Sequence, residues 1–123
     1  MAAPNLAAPV RITGKCVFTS VASTNAVTIL TNGTASSACL RVTSLTLANV
    51  DGSNAVDASV RLFNAASGGT AFAIASTLSV PADSTIVVIG RDNPLYLEED
   101  RHIEVQASAA NDLDVVVSYE EVT

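Results

Sequence analysis

An antiparallel β-sandwich, all-β and of the jelly-roll or immunoglobulin-like kind, is the fold class this sequence predicts, and three observations predict it. Apolar and polar residues alternate with period two, and clusters of Gly, Asn, Asp, Ser and Pro interrupt them roughly every ten residues. No amphipathic helix of useful length can be read anywhere in the chain. The apolar residues, 49% of 123, are largely Val, Ile, Leu and Ala; aromatics are 4% and Trp is absent, which suits a thin core between two sheets. Eight or nine strands is the expected count. A chain of 123 residues fits one domain that buries about two-thirds of its unfolded surface, so no disulfide framework is required.

Residues 1–9 read as an N-terminal extended arm and 10–123 as a single sandwich domain. Pro4 and Pro9 bias the arm to extended or polyproline backbone and keep it out of an interior strand. Gripping a neighbour is one use for such an arm; a frayed terminus is the other. A first strand is expected over Val10–Thr19 and a second over Asn25–Thr31, closed by the turn Asn32-Gly33-Thr34. Cys39–Asn49 alternates, but its apolar set changes parity, with Leu40 and Val42 on one phase and Leu45 and Leu47 on the other. That change predicts a bulge, or a strand that crosses between sheets. After Asp51-Gly52-Ser53-Asn54, the strand Val56–Phe63 sets Val56, Ala58, Val60 and Leu62 against Asp57, Ser59, Arg61 and Phe63. Thr70–Val80 fits strand or helix by period, and its flanking turns favour strand. Ser84–Ile89 reads as a buried run and Leu95–Leu97 as a short strand. Arg101–Ala109 and Asp112–Glu121 then read as a closing hairpin, with Leu113, Val115, Val117 and Tyr119 facing the core.

The charge balance, six Lys and Arg against twelve Asp and Glu for a net −6, argues against direct binding to nucleic acid, which needs clustered cations. Arg11, Lys15, Arg41, Arg61, Arg91 and Arg101 are scattered about one per strand region, as on solvated faces. No stretch approaches the ~20 apolar residues of a membrane span. The beginning, MAAPNLAAPVR, lacks the basic and apolar regions of a secretory leader. Folding in a reducing compartment is therefore expected, with Cys16 and Cys39 reduced and both buried inside strands. Their 23-residue separation, without CxxC or histidine spacing, does not make a zinc site.

Few residues offer chemistry. His102 stands alone as a histidine, between Arg101 and Ile103, and no Ser sits in a G-x-S-x-G elbow, so it reads as a surface or edge residue. Glu98-Glu99-Asp100 joins two strands; consecutive carboxylates splay apart, which favours a solvated hairpin closure over a cation site with spaced ligands. The loop from Asp51 to Asn54, with Asp57, lacks the order of a calcium loop. Asn32-Gly33-Thr34 matches a glycosylation acceptor in pattern and reads as a tight turn. The expected inventory is no catalytic residue, no cofactor-binding residue, no metal ligand and no enzymatic activity.

Three stretches carry a resemblance: LTLANVDGSNAVDASVRLFNAASGG, TLSVPADSTIVV and PLYLEEDRHIEVQASAANDLDVVVSYEEV. With NAVTILT at 25–31, they resemble small β-sandwich virion structural proteins of tailed phages, marine and cyanobacterial ones especially, over residues 20–123. The matching rhythm is Ala48-Asn49 at a strand end, the turn Val80-Pro81-Ala82, Leu95–Asp100, and Ala107–Glu121. The resemblance implies a structural virion component, first a capsid decoration or cement protein that stabilises the outer shell. Its partners would be the major capsid protein or other virion proteins, and further copies of itself in a homo-oligomer, a trimer among the options. It would be made in the host cytoplasm and located in the virion, contacting neither nucleic acid nor membrane. A neck- or tail-associated module, structural or receptor- and carbohydrate-binding, is the alternative. A β-sandwich enzyme is the least favoured, given one histidine and no catalytic motif. The resemblance carries over no site residue.

Overall fold

The computed structural model describes residues 3–123 and places nine strands in two antiparallel sheets. They are β1 (Ile12–Ser20), β2 (Val27–Asn32), β3 (Cys39–Asn49), β4 (Val56–Phe63), β5 (Ala71–Val80), β6 (Thr85–Ile89), β7 (Leu95–Leu97), β8 (Arg101–Ala107) and β9 (Leu113–Val122). One sheet has the order β1-β9-β3-β6, with β7 also pairing β3; the other runs β2-β8-β4-β5. Since β6 and β7 take successive stretches of one side of β3, they act as a single interrupted strand. The resulting order is that of a jelly roll, so of the two expected sandwich types the immunoglobulin-like one drops out.

The core lies where the inner faces meet. Leu45 and Leu47 of β3 and Leu113, Val115 and Val117 of β9 line one side, and Val60 of β4 with Ile103 and Val105 of β8 line the other, all fully buried. The parity change in β3 is resolved by a bulge, because Val42 pairs with Tyr119 but Ser44 with Ser118. Thr43 is the extra residue, and it ties the bulge down by donating its hydroxyl to Ser118 O at 3.1 Å. The bulge returns Leu45 and Leu47 to the same buried side as Leu40 and Val42, so β3 stays in one sheet. Strand β5 carries two more register shifts. At one of them Thr77 takes a left-handed φ of 47° and gives its N–H to the buried Ser59 hydroxyl at 3.0 Å.

Four expectations need correction. β8 and β9 do not form a hairpin: they lie in opposite sheets, and the residues between them arch across the end of the sandwich. Asn111 N–H bonds Val21 O and Val50 N–H bonds Asp112 O, so the arch is fastened to neighbouring loops rather than closed on itself. Alternation reveals a strand's two faces but not its neighbour, and among the described residues the only hairpin between consecutive paired strands is β4–β5. Its turn needs Gly69 at φ 85°, where a Cβ would come within 2.7 Å of Asn64 Oδ1. Strand β6 is no buried run, since it is a sheet edge with Val87 facing solvent. In the arm, Ala8 N–H bonds Asn5 O and Ala7 N–H bonds Asn5 Oδ1, making a turn where extended backbone was expected. Met1 and Ala2 of that arm lie outside the described residues. Lastly, Cys16 is exposed while Cys39 is buried, and both are free thiols.

Val115, at 0% exposure between Leu47 and Thr19 in register, tests the core directly. Val115→Asp buries a carboxylate with no partner and is expected to cost several kcal/mol, a large part of a domain's stability. The measurement is a denaturant melt; a midpoint within error of the parent would refute the burial.

Candidate functional site

The polar residues that invite a chemical reading are spent on holding loops. His102 sits on β8 opposite Phe63 of β4, and the two rings stack with centroids 4.3 Å apart. The loop after β4 folds over it and brings Ala65 O to 2.6 Å from Nδ1, while Glu104 Oε2 lies 2.8 Å from Nε2. A carbonyl only accepts, so Nδ1 donates to Ala65 O, and the Glu104 carboxylate holds the ring from the Nε2 side. His102 is 2% exposed. The surface reading from sequence is therefore wrong, for a physical reason: on the outward face of a sheet only a covering loop buries a side chain, and strand alternation does not reveal the cover.

The polar row continues along the outer face of the same sheet. Arg61, opposite Glu104 in register, donates to Gln106 Oε1 at 3.0 Å, and Gln106 donates to Thr24 O at 3.0 Å. Ala65 O, Glu104 Oε2, Gln106 Oε1 and Thr24 O each take a partner within the protein. That leaves a sheet-bracing network, not a nucleophile with a base.

The acidic run Glu98-Glu99-Asp100 splays apart as expected, but it closes no hairpin. Glu99 accepts the Ser37 N–H, and Asp100, at a left-handed φ of 59°, accepts the Ala66 N–H at 2.8 Å. Two carboxylates thus fasten two different loops at one end of the sandwich. At the other end Asp51 accepts the Ser53 N–H at 2.8 Å and the Asn54 amide at 3.2 Å. The Ser53 N–H first, and then the Asn54 side chain, hold the Asp51 carboxyl below the usual carboxylate range. Among the described residues no three His, Cys, Asp or Glu side chains gather to hold a metal ion.

Two asparagines carry more structural weight than sequence reasoning gave them. Asn32 ends β2, and its carboxamide nitrogen donates to Ala38 O and to Leu97 O, both at 2.9 Å. It is buried and doubly engaged, so the turn reading of Asn32-Gly33-Thr34 stands and a glycan has no free nitrogen to join. Asn49 ends β3 in the same way, donating to Asn54 O at 2.8 Å and to Val80 O at 2.9 Å, while its oxygen accepts the Asp51 N–H. Polar residues that close a strand just before a Gly- or Asp-led turn were the available signal.

The surface that remains free is the outer face of the β1-β9-β3-β6 sheet. Register places Phe18, Val116, Thr46 and Val87 in one row across its four strands. Phe18 is 75% exposed, Val87 60% and Val116 42%. Beside the row runs a shallow groove floored by Cys16, Ser44 and Ser118 and rimmed by Arg41 and Arg91. The charge on this face is largely offset, Arg41 by Glu120 at 2.9 Å; an exposed pair of this kind adds little stability but keeps the face near neutral. Burial first, and the Glu98 charge second, push the Cys39 thiol up, whereas Cys16 opens on this face.

Removing the imidazole in His102→Ala leaves Ala65 O and Glu104 without their partner and unstacks Phe63. The expected loss is about 1–3 kcal/mol in a chemical melt, where a surface residue would give almost none. Thiol labelling gives a second check. Maleimide is expected to modify Cys16 at once in the native protein and Cys39 only on unfolding; equal rates would contradict the assigned burial. No protein-family model matches the chain, and no curated protein matches it.

Proposed function

We propose that the chain is a structural, non-catalytic component of a tailed-phage virion, a capsid decoration protein that binds and stabilises the outer shell. The observation that carries this reading is the apolar row Phe18–Val116–Val87, displayed on a near-neutral sheet face of a chain whose net charge is −6. Exposed apolar side chains gathered in one row on a sheet face mark a place for protein contact. The resemblance of residues 20–123 to phage virion proteins supplies the biological setting. Jelly rolls serve capsids and lectins alike, so the exposed row and not the fold carries the reading.

The mechanism is adhesion. A standard interface takes about 800 Å² per partner, and the molecule exposes 6397 Å². There is room to touch two or three neighbours at once, as bridging shell subunits requires. Weak contacts repeated over a shell reinforce one another through effective concentration. The neck or tail alternative uses the same adhesive face and differs only in position. Carbohydrate binding is less favoured, because the exposed aromatics Phe18, Phe72 and Tyr96 lie on three different strands, β1, β5 and β7, and share no lining of the groove.

The test is to locate the labelled chain in images of purified virions and to measure its copy number per particle. Signal over the shell exterior is expected. Signal confined to the neck or tail would select the alternative, and absence from particles would end the virion reading. Val87→Lys puts a charge on the exposed row without touching the core, so particle occupancy is expected to fall several-fold while the melting temperature holds.

A further inference from the structure

A β-sandwich has four sheet edges, and here three of them are irregular. β2 shifts register against β8 between Thr28 and Leu30. β5 shifts twice against β4 and carries the left-handed Thr77. The β6–β7 edge shifts register against β3 between Leu45 and Thr46 and is then broken by the turn from Gly90 to Asn93 and by Pro94. Bulges, breaks and prolines are the devices by which an edge avoids pairing with another chain. Only β1 lacks them: it pairs with β9 over nine consecutive residues without a shift and contains no proline. Its one charged residue, Lys15, is bridged to Glu121 within the same sheet.

The hydrogen-bond phase of this edge is fixed by its ends. Arg11 and Thr123 exchange both backbone bonds, at 3.2 and 2.9 Å, and Val21 N–H donates to Leu113 O at 2.8 Å. Bonding alternates along an antiparallel ladder, so the odd-numbered residues of β1 face β9. The N–H and C=O groups of Ile12, Gly14, Cys16, Phe18 and Ser20 therefore point outward. Among the described residues no turn or loop backbone bonds to them.

We propose that this edge is a dimerisation site, and that two copies of the chain join β1 to β1, antiparallel, about a two-fold axis at Cys16. That register sets Ile12 against Ser20, Gly14 against Phe18 and Cys16 against Cys16 of the partner copy. It is the one register that pairs every outward group, because centring on Gly14 or on Phe18 leaves part of the edge unpaired. It is also the register in which side chains fit. Nothing lies within 4 Å of the Cβ position at Gly14, and the exposed Phe18 ring of the other copy covers that opening. An aromatic residue across from an edge glycine is a known stabilising pair. The interface is isologous and closes at two copies, so it terminates rather than growing into fibres. The result is one continuous sheet of eight strands, with the apolar rows of both copies on the same face. This pairing goes beyond the proposed role, since it requires no particle.

The experiment uses the full chain in solution. Sedimentation equilibrium over a wide concentration range is expected to show a monomer–dimer equilibrium, and a short bis-maleimide is expected to join two chains through Cys16. Gly14→Pro removes an outward N–H and leaves the bonds to β9 intact, as proline on an edge strand can. Phe18→Lys removes the ring and adds a charge while keeping Cys16. Each is expected to weaken dimerisation by about tenfold or more, to abolish the cross-link, and to leave the melting temperature of the monomer unchanged. Val87→Lys, on the far edge of the sheet, is expected to leave dimerisation as it was. A strictly monomeric chain, a trimer, or a dimer that survives both β1 variants would overturn the edge pairing. Particle occupancy of Val87→Lys would still decide the virion role separately.

Discussion

A jelly roll sends most of its connections across the gap between sheets, and each crossing leaves backbone carbonyls at the rim of an apolar core. This chain meets that constraint with two buried carboxamides. Asn32 joins the end of β2 to Ala38 O and to Leu97 O of β7, in the other sheet. Asn49 joins the end of β3 to Val80 O at the end of β5, again in the other sheet. Each closes one end of the sandwich. A buried carbonyl left without a donor costs about 1–3 kcal/mol, so both ends depend on these nitrogens. Asp51, Glu99 and Asp100 then fasten the loops outside the clamps through backbone N–H groups.

Between the clamps, β3 is the most constrained strand. It pairs with β9 on one side and with β6 and β7 on the other, so its apolar residues must face inward along all of its length. Leu40 and Val42 are even and Leu45 and Leu47 odd, so all four face inward only with the bulge at Thr43. The break between β6 and β7 follows from the same strand. β7 pairs its first part, before the bulge, and β6 pairs the part after it. One inserted residue thus answers the parity change in the sequence, and the split edge of the sheet falls beside it.

The fold was legible wherever a property belongs to one strand, and illegible wherever it belongs to a pair. Strand positions, the bulge in β3 and the inward face of β9 all follow from local alternation, and the structure has them. Partner choice does not follow, which is why β8 and β9 read as a hairpin but lie in different sheets. The same limit hid His102. Its neighbours in sequence describe a solvated strand face, and the Ala65 loop that covers it comes from a segment 37 residues away. Cys16 failed in the opposite sense: occupying a strand suggested burial, but even-numbered positions of β1 face outward. The exposed row was equally hidden, since Phe18, Val116, Thr46 and Val87 sit on four strands and become neighbours only through register.

The buried and loop-fastening polar groups of this molecule are engaged within the fold. Here His102, Glu99, Asp100, Asn32 and Asn49 are all engaged by the chain's own backbone or side chains. What the molecule leaves unsatisfied is of another kind: an apolar row on one sheet and a line of backbone groups on the edge beside it. These two features meet at Phe18, whose ring belongs to the row and whose N–H and C=O belong to the edge. Pairing β1 to β1 satisfies the backbone line and doubles the length of the row. A second copy therefore does not compete with a larger partner for this face; it enlarges what the face offers.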